Sequence, residues 1–476
     1  MKKFIHQVSF IVIIFTVILL FIGCGNSDKQ LASDKQLTIE DFLYDFDYMM
    51  QSMEETFPYF GVAERRLGVD IRALGNETRA MIENYPYSLQ GLASELDISL
   101  EDMPDLDEHI FWSIIQHEFF SYLEGFVHSF ALDFRGYNLF QPVLSSSLSP
   151  YYTHNNHYAF TNSASQMFYQ EQEVIFNTLA EEQVALFQFV FRREPSVAEQ
   201  SHGFTHNIVN TEIIEEDRIA YLNMSSFMNF SHNTISDTLR RFYRDIQKFE
   251  HLIIDIRDNG GGSTDFWRMY IMKPLWAGRS KMPDMPLYAF YRGSKLGKSL
   301  AEENLKIEAQ YSRYLAETDD LLTVSEIIKA NNLPHINEDD LEDLAYGVKF
   351  NTSISNIEWR HMRQLGYQDI SDYPFDGEIW LLTNENNYSA AALFARHAKE
   401  MGFATLVGEQ IGGAYATYVA NFTLPNTGII VRWDIDYLTD SYGRALNEFP
   451  TTPHHFNRHG IDALETVLQL IEEGSY

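Results

Sequence analysis

An α/β fold with a helical N-terminal part is what this sequence predicts, and three stretches carry the prediction. Leu252-Ile-Ile-Asp255-Ile-Arg257 is a short apolar run that reads as a buried strand. It follows an amphipathic helical pattern over Ile235 to Phe249 and leaves through Asp258-Asn259-Gly260-Gly261-Gly262. A second unit of the same kind spans Glu378 to Gly413: the apolar run Ile379 to Leu382, a polar turn Asn384 to Asn387, Ser389, a helix over Ala390 to Met401 that Gly402 can end, and the apolar run Ala404 to Val407. Strands that alternate with helices imply a largely parallel sheet, covered on both faces. Before residue 130 the apolar residues recur at helical spacing instead, as in Phe42, Phe46, Met49, Met50, Met53 and Phe57.

The elements follow in order. Lys2 and Lys3 precede an apolar run from Val8 to Ile22, short for a membrane span and of the length of a signal-peptide core, with an ordinary transmembrane anchor or an uncleaved signal as the other reading. It ends in Phe21-Ile22-Gly23-Cys24, which resembles the lipobox of bacterial lipoproteins. That resemblance implies a signal peptide over residues 1–24, acylation of Cys24, and a body held by a lipid anchor to the membrane, outside the cytoplasm in the cell envelope. Cys24 is the only cysteine, so disulfides within the chain and a thiol nucleophile in the folded body are excluded. Thr38-x-x-Asp41 is a capping-box-like start for a helical domain over residues 38–135, which closes with Val127-His128-Ser129-Phe130.

A serine-rich joint, Ser145 to Pro150, leads into an aromatic-rich region, and residues 136–212 receive no assigned architecture. The alternation from Ala185 to Arg192 predicts strands there, and no glycine-rich loop of a peptide-binding PDZ module is present. Residues 213–476 form the α/β core. A charged, mostly helical insertion over 275–370 interrupts it and is expected to roof the cleft. Strand-like Gly428 to Trp433, a loop carrying Glu448 and a helix from Asp462 to Glu473 complete the chain.

With 476 residues, 45% apolar and 14% aromatic, the composition is that of a globular protein of two or three domains. The formal charge of −32, from 67 acids against 35 bases, repels a phosphate backbone, so nucleic acid is not an expected partner.

Two features carry chemistry. Ser389 stands at a helix N-terminus, where unpaired N–H groups and the helix dipole favour negative charge developing beside it. As a plain residue it would be an N-cap. Gly260-Gly261-Gly262 can turn backbone amides outward as an oxyanion hole, or be a simple loop. The run lacks the lysine and hydroxyl of a phosphate loop, and Gly293-Ser-Lys-Leu-Gly297-Lys298-Ser299 has one residue too few between its glycines. His154, His157, His454 and His455 sit in no metalloprotease motif, so neither a metal nor a cofactor is expected.

Tyr221 to Phe227, Asp255-x-Arg257-x-Asn259-Gly-Gly, Ser389-Ala-Ala, Gly408-Glu409, and Pro453 followed by Gly460-x-Asp462 occur together in one order. In this the chain resembles the tail-specific, C-terminal-processing serine peptidases and their tricorn-core-like relatives, over about residues 215 to 475. The resemblance implies a crotonase/ClpP-like core of stacked βαβ units, Ser389 as nucleophile, and an oxyanion hole from the amides of Ala390 and of Gly260 or Gly261. The processing branch has a lysine base just after the position of Gly412-Gly413, where this chain has Ala414. The tricorn-like branch implies a histidine base at His128, supported by a glutamate at Glu448. The implied substrate is a peptide or an unfolded tail. A second reading, motivated by Ala414 and by Val127 ahead of His128, is a peptidase-shaped protein that binds peptides or another ligand without cutting.

Overall fold

The computed structural model describes residues 36–95, 99–147, 152–191, 208–228, 232–276, 285–311, 315–316, 321–351, 362–363, 366–370 and 373–474. The apolar segment Val8 to Ile22 and Cys24 lie outside them. Among the described residues no helix is long and apolar enough to cross a membrane.

The helical half begins as its capping box dictates: the Thr38 side chain accepts from the Asp41 amide, and the Asp41 carboxylate accepts from the Thr38 amide. Helix Ile39–Thr56 buries Phe42, Phe46, Met49 and Met53 on one side. Helices Phe60–Leu67 and Ile71–Glu83 follow, then Glu108–Ile114, and a two-residue strand β1 (Phe130–Ala131). Three helices come next, Phe134–Leu144, His154–Thr161 and Ser163–Phe191. The strands expected from Ala185 onward are thus the end of a long helix. Its 29 residues contain neither glycine nor proline and include five Gln and four Glu, so helix propensity overrides a brief alternation.

The chain then enters β2 (Val209–Glu215), β3 (Ile219–Met224) and, after helix His232–Asp245, β4 (His251–Asp255). The next segment contributes β5 (Pro286–Arg292), β6 (Leu315–Ala316), β7 (Leu322–Thr323) and β8 (Leu344–Asn351). Beyond it come β9 (Glu378–Thr383), β10 (Thr405–Gly408), β11 (Val419–Thr423), β12 (Ile430–Asp434), β13 (Tyr437–Thr439) and β14 (His455–Phe456).

The central sheet has the order β14-β10-β9-β4-β3-β2 and is parallel except where β2 joins β3. All five residues of β4 are buried, as a parallel strand covered on both faces requires. On one face Ile219, Ile253, Trp380, Leu382 and Val407 pack against Val467, Leu470 and Ile471 of the C-terminal helix Ala463–Glu473. On the other, Leu252, Ile254, Leu381 and Leu406 join a core that runs continuously through Leu239 and Phe394 to Phe46 and Met49 of the first helix. The molecule is a mixed α/β fold with a helical N-terminal region.

The segment expected to be a mostly helical insertion carries one long helix, Lys295–Tyr311, but also most of an antiparallel sheet, β13-β5-β8-β6 with β7 on β8. Leu287 to Tyr291 are all buried, and this short apolar run is masked in the sequence by the charged text around it. A third sheet, β1-β12-β11, is antiparallel and ties the helical half to the end of the core.

Candidate active site

Strand β9 ends at Thr383, and the chain turns through Asn384 to Asn387 before helix Ala390–Glu400. Ser389 occupies the N-cap position, yet its side chain makes no capping bond, so the hydroxyl is not consumed as the plain N-cap reading requires. Its backbone has φ 55° and ψ −123°, a conformation that costs a non-glycine residue on the order of 1–3 kcal/mol. Hydrogen bonds hold it there from both sides. The Ser389 amide donates to Gly413 O at 3.1 Å, and the Tyr388 amide to Asn259 O at 3.2 Å. Asn387, fully buried, donates through Nδ2 to Ile256 O and accepts from the Asn384 amide at 2.9 Å. A sharp strand-to-helix turn of this kind lifts a hydroxyl clear of the sheet and beside the helix N-terminus.

The glycine corner lies directly against this elbow. A Cβ at Gly261 would sit 2.7 Å from Tyr388 O, 2.8 Å from Ser389 Cβ and 3.0 Å from the Ala390 nitrogen, and φ is +99°. Only glycine fits there. At Gly262, with φ +134°, a Cβ would meet the Phe227 carbonyl carbon at 2.3 Å. The corner is pinned by the buried Asn259, whose Nδ2 donates to Met224 O at 2.8 Å and whose Oδ1 accepts the Gly261 amide at 2.8 Å. The Gly261 amide is therefore engaged. Among the described residues the amides of Gly260 and Ala390 donate to nothing, and Gly260 faces open space. Arg257 and Asp255 brace the strand end: Asp255 accepts from Arg257 Nη2 and from the Tyr221 hydroxyl, each at 2.7 Å, and Arg257 Nη1 reaches Asp462 at 2.8 Å.

His128 arrives from the helical half. Strand β1 pairs with β12 so that Phe130 faces Arg432 and Ala131 faces Val431. Two residues further along the same register, His128 falls opposite Asp434, on the same side of the ribbon. Its Nδ1 lies 2.7 Å from Asp434 Oδ1, where an Nδ1–H donates to the carboxylate, and its own amide donates to Asp434 Oδ2 at 3.2 Å. Asp434 is fully buried. The imidazole packs edge-on against the Tyr388 ring, centroids 5.0 Å apart, and the Tyr388 hydroxyl donates to Val127 O. The histidine is thus locked to the residue that immediately precedes Ser389.

Glu448 is elsewhere. Both its oxygens accept from Arg65, Oε1 from Nε at 2.7 Å and Oε2 from Nη2 at 2.8 Å, and the same guanidinium holds Asp340. The carboxylate that the structure brings to His128 is Asp434, two residues from a second buried acid. Asp436 accepts from the Thr417 amide and hydroxyl, both at 2.8 Å; burial first, then the neighbouring Asp434, push its carboxyl up to about 7. The sequence marks only that Arg432, Asp434 and Asp436 alternate through an otherwise apolar stretch, so that these ionisable groups need partners once buried, and nothing local names His128 as the partner of Asp434.

Ala414 is fully buried with φ 56°. His397, on the helix that Ser389 opens, is buried with Nδ1 2.8 Å from Leu393 O, and burial pushes it down to about 3. It stays neutral and inside. Among the described residues no group of His, Cys, Asp and Glu could hold a metal ion.

The model of peptidase family S41 matches residues 218–455, half of the chain, and this stretch contains the glycine corner, Ser389 and Asp434. No curated protein sequence matches the chain. Solved structures similar to it include a lipoprotein from Streptococcus agalactiae, 10% identical over 93% of this chain and 99% of that one, with a TM-score of 0.44. Mature CPAF is 13% identical over 88% and 92%, with a TM-score of 0.44. The photosystem II D1 C-terminal processing protease is 14% identical over 56% and 53%, with a TM-score of 0.31. On the strength of the family match, which covers the serine elbow and the glycine corner, the chain belongs to peptidase family S41.

Proposed function

We propose that this protein is an exported, lipid-anchored serine peptidase of the tail-specific kind that uses a histidine rather than a lysine base. Ser389 Oγ attacks the peptide carbonyl, and His128 Nε2 takes its proton. The tetrahedral oxyanion receives the amides of Gly260 and Ala390, and the C–N bond breaks as His128 returns the proton to the leaving amine. Water, deprotonated by the same imidazole, then hydrolyses the acyl-serine. Asp434 holds the Nδ1–H tautomer, so that the Nε2 lone pair is free, and offsets the imidazolium charge. The observation that carries this reading is the His128–Asp434 pair packed against Tyr388, the residue before a serine held in a strained elbow with an uncapped side chain. Ala414 supports a histidine base, as in the tricorn-core-like branch, and the parallel covered sheet supports a crotonase/ClpP-like core.

Export and anchoring rest on the Val8 to Ile22 run and on Cys24. The test of the chemistry is labelling by a fluorophosphonate, which reacts with activated serines. The wild-type protein should be labelled at Ser389, and Ser389→Ala should not be labelled. Equal labelling of both contradicts the assignment.

A further inference from the structure

Strand β12 places two ionisable residues, Arg432 and Asp434, on one face. Asp434 meets His128, but Arg432 has no such partner. Among the described residues its guanidinium enters no ion pair and donates no hydrogen bond, and its Nε is sealed from solvent. The half-buried side chain lies between two rings, with the guanidinium carbon 5.2 Å from the centre of Phe130 and 4.8 Å from that of Phe140. Ring contacts compensate a desolvated charge only in part. Burial accordingly pulls its pKa down to about 10, although Asp434 pulls the other way. A neutral side chain of the same length would serve the packing equally well, because an unpaired buried charge lowers stability.

The register gives that charge a use. Residues two apart on a strand have Cα atoms about 6.5–7 Å apart, so Arg432 neighbours Asp434. Across the ladder Arg432 faces Phe130, two residues after His128. The imidazole is thus met by Asp434 at Nδ1 and by the edge of the Tyr388 ring, and Arg432 acts electrostatically on both of these. Beyond them, Glu124 acts on Tyr388, Asp436 on Asp434 and Tyr418 on Arg432. The other cation near this segment, Arg66, stands over Phe126 and is engaged by the Gly412 and Asn447 carbonyls. The acids in this set, and the formal charge of −32 on the whole chain, favour a protonated imidazole. An imidazolium cannot take the serine proton. We propose that Arg432 is a further positioning residue of this site: its unpaired charge opposes the surrounding acids and keeps the His128 imidazole unprotonated, ready to act as base. This role rests on the serine–histidine chemistry proposed above, although it can be tested without turnover.

The test is a pH titration of the His128 ring by NMR, on the full Ser389→Ala protein with isotope-labelled histidine. The His128 signal, one of 16, is identified by its loss in His128→Gln. Arg432→Met keeps the length of the side chain and removes its charge, and it should raise the titration midpoint by about 0.5–1 pH unit. The sign follows from the charge: without a nearby cation the imidazolium is favoured, and a higher pH is needed to deprotonate it. Arg432→Lys, which restores the charge, should return the midpoint to within about 0.2 pH unit of the parent. In the active enzyme the acid limb of kcat/KM should move to higher pH by the same amount, and Arg432→Met should melt no lower than its parent. Thermal melts establish that each variant is folded; if Arg432→Met is not, Arg432→Gln carries the comparison. A midpoint that loss of the charge leaves in place, or that Arg432→Lys shifts as far as Arg432→Met, overturns the proposal and leaves Arg432 as packing between Phe130 and Phe140. If the midpoint moves as stated while the fluorophosphonate fails to label Ser389, the charge coupling stands and the hydrolytic reading falls.

Discussion

At the scale of single residues, the decisive contrast is between two carboxylates. Asp434 is buried and meets the imidazole, whereas Glu448 is half-buried and meets Arg65. Replacing Asp434 by Asn keeps the shape but turns an acceptor-only carboxylate into an amide that can impose the wrong tautomer on His128. The expected loss in kcat is on the order of 10³–10⁴-fold, with KM changed far less. Glu448→Gln removes an ion pair whose arginine is 35% exposed, so stability should fall by less than about 1 kcal/mol and kcat should stay within about threefold. Steady-state kinetics on the two variants check this, and the reverse ranking would return the supporting role to Glu448. Ser389 and the glycine corner were legible as candidates because each sits in a local pattern, and His128 only through the resemblance to the tricorn-core-like branch. Asp434 was not, because its partner lies 306 positions away and only the β1–β12 register brings the two together. Gly261 shows a finer version of the same problem: the residue type announces the turn, but only the fold reveals that its amide is already taken by Asn259.

At the scale of elements, the elbow before helix Ala390–Glu400 stores strain that a hydroxyl-bearing residue cannot avoid. Ser389→Ala keeps the positive φ and its cost. Ser389→Gly relieves about 1–3 kcal/mol of it and gives back roughly 0.5–1 kcal/mol in chain entropy. Both variants should be inactive, and denaturant unfolding should find the glycine variant more stable than the alanine variant by about 1 kcal/mol. An alanine variant equal to or more stable than the glycine one would mean that no strain is held there. The strands and helices around this elbow were readable because a buried parallel strand and an amphipathic helix have distinct periods. The reading was poorer where the periods were short or interrupted. Residues 185–191 alternate for too few positions to override the helix that runs into them from Ser163, and the apolar β5 is hidden between charged segments.

At the scale of the whole molecule, the site depends on the helical half docking onto the core. Fully buried Asp45 accepts from the amides of Asn426 and Thr427, the Trp433 indole N–H donates to Thr56 Oγ1 at 2.8 Å, and the Leu438 amide donates to the Tyr59 hydroxyl at 2.9 Å. These bonds bracket the β12 segment that carries Asp434, so the pairing that positions His128 is anchored above and below. None of them follows from local periodicity, which explains why the parts of this machine were legible before their assembly was. The assembly has a direct kinetic signature, since groups that act as one unit are lost only once. The measurement is therefore a double-mutant cycle on kcat/KM for peptide hydrolysis with His128→Ala, Ser389→Ala and the two combined. Each single variant should lose on the order of 10⁴-fold or more, and the double variant should be no slower than the slower single. Losses that multiply, or a His128→Ala enzyme within about tenfold of wild type, would contradict a serine and a histidine working as one catalytic unit.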